Sequence, residues 1–218
     1  LELKQEGYTA SSQILRPGKA VGMALISDID DTVIQTGVAS RMKWRMMVNS
    51  TFKNPFIRKP LQGVSEFYQA LHKGKPGSSD IPVFYVSNSP WNLFGYLETF
   101  LRHHGFPQGP LILRDIGVDP IEHTKLGGKY GRVKQIVTAF PNMKFILSGD
   151  SAEVDTDIYL RLAKEHPDQI QSIFIRAVKN RNRMKRVQKL IESHADINVR
   201  LIRPSAEGMA FAKELDLI

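Results

Sequence analysis

The chain predicts an α/β domain built on a doubly wound parallel sheet, and three observations carry that prediction. Short, nearly continuous apolar runs recur along the sequence, helical periodicities lie between most of them, and polar, acid-rich segments follow the runs. Strands that are apolar on both faces are those of a parallel sheet covered by helical crossovers; a one-sided antiparallel sheet would alternate instead. The 218 residues suffice for one domain of good size carrying a small insertion.

Residues 1–18 are mixed and close on the turn signal Pro17-Gly18, so they are expected to form an N-terminal arm or linker remnant ahead of a domain over 19–218. Strands are predicted at Val21–Ile26, Val83–Val86, Leu111–Leu113, Phe145–Leu147 and Ile173–Ile175, with a weaker one at Val199–Ile202. Leu93, Tyr96, Leu97, Phe100 and Leu101 recur at spacings of three and four and predict a helix. Val133, Ile136, Val137 and Phe140 predict another, stopped by Pro141. Ile158, Leu162 and Ala163 mark a third before His166-Pro167, and Met184, Val187, Leu190 and Ile191 a fourth. The span between Val33 and Pro82 exceeds one crossover, which places an inserted cap at about residues 34–62.

Composition excludes several chemistries. The chain has no Cys, so disulfides, thiolate metal sites and cysteine nucleophiles are ruled out. The six histidines show no metal-ligand spacing, and no Gly-x-Ser-x-Gly elbow of a serine hydrolase is present. Gly127-Gly128-Lys129 lacks the first glycine of a nucleotide phosphate loop and is followed by Tyr130 rather than Ser or Thr. The longest apolar run near the start falls far short of the ~20 residues of a membrane span.

The net charge of +8 is concentrated in two patches. No acid occurs between Asp31 and Glu66, where Arg41, Lys43, Arg45, Lys53, Arg58 and Lys59 are interleaved with Trp44, Met46, Met47, Phe52 and Phe56. That mixture fits a segment approaching an anionic membrane surface as well as it fits a solvated cap. Nucleic acid is the less favoured partner, because the aromatics line no recognisable sheet motif. Lys179, Arg181, Arg183, Lys185, Arg186 and Lys189 form the second patch, on the outer face of the fourth predicted helix.

Ligands of doubly wound sheets bind beyond the carboxyl ends of the strands. There the sequence has Asp28-Ile29-Asp30-Asp31-Thr32, Ser87-Asn88-Ser89, Arg114-Asp115, and Gly149-Asp150-Ser151 with Asp155. Asp28 and Asp30 fall on one side of an extended segment. Two such carboxylates resist ionising together unless a cation is bound, and oxygen-only ligands including Asp150 suit a hard ion such as Mg²⁺. An Asp carboxylate can attack phosphorus, and a second Asp two residues on can protonate the leaving alcohol and then activate water.

These residues carry a family resemblance. Asp28-Ile-Asp-Asp-Thr32 followed by Ser87, Lys129, Gly149-Asp150 and Asp155 resembles the motif order of the haloacid dehalogenase superfamily of phosphohydrolases. More narrowly, Ser27–Thr32, Thr36-Gly-Val38, Tyr85–Leu93, Gly109–Asp115 and Phe145–Ser151 are similar to the catalytic domain of the fungal actin-patch-associated phosphatidate phosphatases and their bacterial relatives. The resemblance implies a haloacid dehalogenase-like fold and a Mg²⁺-dependent hydrolase of phosphatidate, cytoplasmic and peripheral on membranes. It implies Asp28 as nucleophile, Asp30 as general acid and base, and Lys129 as the neutralising cation. Thr32, Ser87 and Asn88 would bind the phosphoryl group, and Asp28, Asp30, Asp150 and Asp155 would form or support the metal site. The choice of Lys129 over Lys125 rests on spacing, since Val133, Ile136 and Phe140 continue its helical face. Ser151-Ala152-Glu153 and Asp155-Thr156 depart from the family's Ser-Gly-Gln and Asp-Pro. Two alternatives stay open: the same chemistry on a soluble phosphoester, and a silent lipid- or RNA-binding module.

Overall fold

A computed structural model of the protein describes residues 2–5, 8–11, 15–18, 21–29, 33, 59–115, 127–151, 154–178 and 180–218. Asp30, Thr32, residues 34–58 of the insertion, and Lys179 of the second basic patch lie outside the described residues.

The arm contains two strands, β1 (Glu2–Gln5) and β2 (Tyr8–Ser11), paired antiparallel from Glu2↔Ser11 to Gln5↔Tyr8. The mixed composition of the arm did not predict this ladder. A six-stranded sheet follows, made of β3 (Met23–Ser27), β4 (Val83–Pro90), β5 (Leu111–Arg114), β6 (Lys144–Asp150), β7 (Ile170–Arg176) and β8 (Val199–Ile202). Its order is β5-β4-β3-β6-β7-β8 and every pairing is parallel. The chain winds outward in one direction from β3 to β5, then crosses back to β6 and winds the other way. The expected doubly wound α/β fold is therefore present, and the reversal of strand order falls between β3 and β6, where such sheets bind ligands.

The helices are α1 (Val64–Lys73), α2 (Phe94–His103), α3 (Gly127–Ala139), α4 (Asp155–Glu165), α5 (Arg181–Glu192) and α6 (Ser205–Glu214). The strands' apolar residues sort to the two faces with a period of two. Leu25, Ile146 and Phe174 join one buried layer with α1, α2 and α6. Ala24, Ile26, Phe145, Leu147, Ile173 and Ile175 join the other with α3, α4 and α5. This alternation decides which helices each strand-end side chain meets.

Periodicity located α2, α3, α4 and α5 but not α1 or α6. α6 interrupts its apolar positions with Ser205, Gly208 and two acids, whereas α1, just past the cap expected at 34–62, does set Val64, Phe67, Tyr68 and Leu71 at spacings of three and four, a signal that was passed over. The two helices pack on each other over Phe174, whose ring lies 5.4 Å from Phe67 and 5.1 Å from Phe211, both edge-on. Gly208 permits this approach, because a Cβ there would stand 3.1 Å from the Phe67 ring. The insertion is closed at its base, where the Leu61 N–H donates to the Val33 carbonyl at 3.2 Å.

Phe174→Ala should cost about 3–5 kcal/mol, the range for emptying a fully buried aromatic site. Urea unfolding checks this; an unchanged midpoint would mean that α1 and α6 do not pack across that ring.

Candidate active site

The site forms where β3, β4 and β6 end. Asp28 extends the β3–β6 ladder by one bond, its N–H donating to the Ser148 carbonyl at 2.8 Å. It has the same parity as Ala24 and Ile26, so its carboxylate faces the layer containing α3 and α4. Lys129, in the first turn of α3, comes down from that layer. Its Nζ donates to Asp28 Oδ1 at 2.6 Å and to Asp155 Oδ1 at 2.5 Å. The three side chains are 0% (Lys129), 1% (Asp28) and 0% (Asp155) exposed.

Burial makes this bridge consequential. A charge removed from water with its partners intact is tolerated, but deleting one partner strands the other and costs about 3–5 kcal/mol. The ammonium therefore fixes the Asp28 carboxylate in one orientation and ties it to α4. Asp155 is held at both oxygens, since Oδ2 accepts the Asp150 N–H at 3.3 Å. Gly149 makes room for this: a Cβ there would lie 2.5 Å from Asp155 Oδ2 and 2.7 Å from the Tyr159 ring. Asp150, the last residue of β6, is buried beside it.

Ser87 and Asn88 lie inside β4 rather than after it. The strand was expected to stop at Val86, but it runs to Pro90, with its register against β5 shifting between Val86 and Pro90. The irregularity lets Ser87 Oγ accept the Ser89 N–H at 2.8 Å. Arg132 on α3, 7% exposed, donates to the Asn88 side-chain oxygen at 2.9 Å and to the Ser87 carbonyl at 3.3 Å. A phosphate-sized anion near Ser87 would thus meet a segment stiffened by a buried guanidinium.

Behind Asp28, toward α1, is a chain of buried hydroxyls. Ser27 Oγ donates to the Asp28 carbonyl at 2.6 Å and lies 2.6 Å from Tyr68 Oη, which donates to Ser148 Oγ at 3.0 Å. Burial raises the Tyr68 pKa, opposed by its bonds to Ser148 and Ser27. Tyr159 is pushed well above its ordinary value by burial and then by the charge of Asp155, so it donates as a neutral phenol to the Ser148 carbonyl at 3.1 Å. These bonds hold the ends of β3 and β6 in register from both faces.

The donor chemistry fits a hard cation. The acidic residues at the two strand ends offer carboxylate oxygen alone, and among the described residues no buried imidazole adjoins them. Among the described residues no three acids or histidines converge as a complete metal shell. Asp28 and Asp150 are the carboxylates that would hold such an ion, while both oxygens of Asp155 are engaged by Lys129 and the Asp150 amide. Asp30 and Thr32, the other expected members, lie outside the described residues.

Sequence reasoning missed Arg132 and Tyr68. Arg132 had a signal, because it stands three residues after Lys129 on a helix whose inner face was already assigned. Tyr68 had a signal for burial, on the helical face shared with Val64, Phe67 and Leu71, but none for its hydroxyl partners Ser27 and Ser148.

Comparison with known proteins places the chain in a family. Residues 23–177 match the family described as "Phosphatidate phosphatase APP1, catalytic domain", and the chain belongs to it. Phosphatidate phosphatase APP1 of Saccharomyces cerevisiae is 36% identical over 166 residues, 73% of this chain and 26% of that protein. An uncharacterized protein of Schizosaccharomyces pombe is 30% identical over 160 residues, 72% of this chain and 25% of that one. The chain thus spans about a quarter of the length of the curated relatives it matches. Among solved structures, the Pnkp1/Rnl/Hen1 RNA repair complex is similar with a TM-score of 0.41 at 12% identity, covering 93% of this chain and 49% of that one.

Next to Lys129, Tyr130 donates to Glu165 Oε2 at 2.5 Å, joined there by Lys134 at 2.8 Å and at Oε1 by Arg161 at 2.7 Å. This cluster clamps α3 to α4, the helices that carry Lys129 and Asp155. The bonds from Lys134, Tyr130 and Arg161 hold the Glu165 pKa down at about 2, from 4.5. A depressed carboxyl pKa stabilises the fold above the unfolded value and ceases to do so as pH falls through the folded value. The stability difference between wild type and Glu165→Gln should therefore be full above pH 4.5 and shrink toward pH 2. Thermal melts across that range check it; a difference independent of pH would contradict the clamp.

Proposed function

We propose that the domain hydrolyses a phosphomonoester through an aspartyl-phosphate, with phosphatidate at a membrane surface as the substrate and Mg²⁺ as the cofactor. The observation that carries the reading is the buried Lys129 ammonium 2.6 Å from Asp28 Oδ1 at the strand-order reversal. Membership of the phosphatidate phosphatase APP1 catalytic-domain family supports the choice of substrate.

An Asp28 carboxylate oxygen attacks phosphorus and forms an O–P bond while the bond to the leaving alkoxide breaks. Asp30, two residues on, gives that alkoxide its proton and then takes one from a water that attacks the phosphorus. Phosphate leaves and the Asp28 carboxylate is restored. Lys129 neutralises charge on the equatorial oxygens, and Ser87 donates to one of them from the segment braced by Arg132. Asp28 and Asp150 would hold the metal, which when bound stabilises charge on the phosphoryl oxygens. No helix among the described residues is long and apolar enough to cross a membrane, and the reading needs none, because a peripheral domain reaches phosphatidate from the bilayer surface.

Asp28→Asn should abolish phosphate release from phosphatidate vesicles and lose binding of beryllofluoride, a mimic of the phosphorylated carboxylate. Residual turnover near wild type would refute the nucleophile. Asp150→Asn should raise the Mg²⁺ concentration needed for half-maximal activity; an unchanged dependence would remove Asp150 from the metal site. Wild-type activity on soluble esters with none on vesicle phosphatidate would overturn the substrate.

A further inference from the structure

Helix α5 follows β7, whose last residue, Arg176, is in register with Asp150. Its sequence, RNRMKRVQKLIE, sets five cations against one carboxylate, and Val187 is its sole fully buried residue. Arg181, Lys185 and Lys189 recur at intervals of four, so they form one stripe, and all three are exposed. Among the described residues none of the three has a carboxylate partner. Arg186, by contrast, is spent on Asp157 at 2.5 Å. A groove of about 550 Å³ along this surface is lined by Asn182, Lys185, Arg186, Lys189, Leu190 and Ser193. Its cationic heads stand on long methylene stems beside the half-buried Leu190.

The stripe is joined to the site by specific contacts. Ser151, the residue after Asp150, accepts the Val178 N–H at 2.9 Å and donates to Met184 Sδ at 3.4 Å. The first turn of α5 is thereby anchored at the edge of the sheet where Asp150 lies. The helix extends about 18 Å from there at 1.5 Å per residue.

We propose that the exposed stripe of α5 is a docking surface for an anionic phospholipid bilayer. Charge complementarity is the argument: a row of exposed cations at one-turn spacing, without carboxylate partners among the described residues, attracts a surface bearing many negative headgroups. Lysine stems and Leu190 can enter the headgroup zone while the ammonium groups stay hydrated. A bilayer lying along the stripe meets the edge of the sheet that carries Asp150 at its Arg181 end, because the helix begins there. The docking rests on the phosphatidate reading for its purpose, but not for its test.

The experiment is co-sedimentation of the whole chain with phosphatidylcholine vesicles containing phosphatidylserine, which offers negative charge without the substrate. Wild type should bind these vesicles and not pure phosphatidylcholine. Arg181→Gln with Lys185→Gln and Lys189→Gln should weaken binding roughly 100-fold at low salt, about fivefold per cation removed. The gap should narrow as salt shortens the screening length. The variant's turnover of p-nitrophenyl phosphate should match wild type, and Lys185→Gln alone should weaken binding about fivefold. Equal binding of the triple variant and wild type would overturn the proposal. So would failure of wild type to bind, loss of soluble turnover in parallel with binding, or stripe-dependent binding of RNA in place of vesicles. Vesicle binding that depends on α5 without phosphatidate hydrolysis would refute the substrate reading and leave the docking surface standing.

Discussion

Everything at the catalytic edge depends on one ammonium group with no access to water. Lys129 Nζ sits between Asp28 and Asp155 and is the buried counter-charge to both carboxylates. That pairing sets the positions of the elements that carry them. α3 must begin over the end of β3, α4 must begin beside the end of β6, and Gly149 must lack a side chain so that Asp155 can reach inward. The Glu165 cluster and the hydroxyls of Tyr68 and Tyr159 maintain this arrangement from outside and from behind.

The same arrangement suits the phosphoryl chemistry proposed for this edge. A nucleophilic carboxylate must be charged, oriented and close to groups that accept the charge arriving with a phosphate. Lys129 meets the first two demands through its bond to Asp28 and part of the third by its own charge. Arg132 would act indirectly: it fixes the irregular stretch of β4 that carries Ser87, so that a phosphoryl contact there would need no reorganisation.

Most of the sheet was legible in the sequence because its strands are apolar on both faces. Phe145 to Leu147 and Ile173 to Ile175 have no other economical place than a covered parallel sheet. Asp28 and Asp150 were legible because they fall at strand ends, Ser87 and Asp155 because they follow in the same motif order, and Lys129 because its helix continues an apolar face. What escaped notice depends on long-range contacts. α6 is fixed by α1 across Phe174, with Gly208 at the contact, and has no pattern that declares it alone, whereas α1 could have been read from Val64, Phe67, Tyr68 and Leu71. β4 continues past Val86 because its ladder with β5 resumes at Pro90↔Arg114, a pairing that no local signal encodes. Tyr68 was hidden for the same reason, since its partners Ser27 and Ser148 are far away in the chain.

The most direct test of the account is to trap the phosphorylated protein. Wild-type chain mixed with phosphatidate in mixed micelles and Mg²⁺ is quenched in acid within a single turnover, digested, and its peptides are sequenced by mass spectrometry. The account predicts one phosphoryl group, on Asp28, which disappears when the reaction runs to completion before quenching. A phosphoryl group on any other residue, or phosphate released in the burst with no labelled peptide, would contradict it.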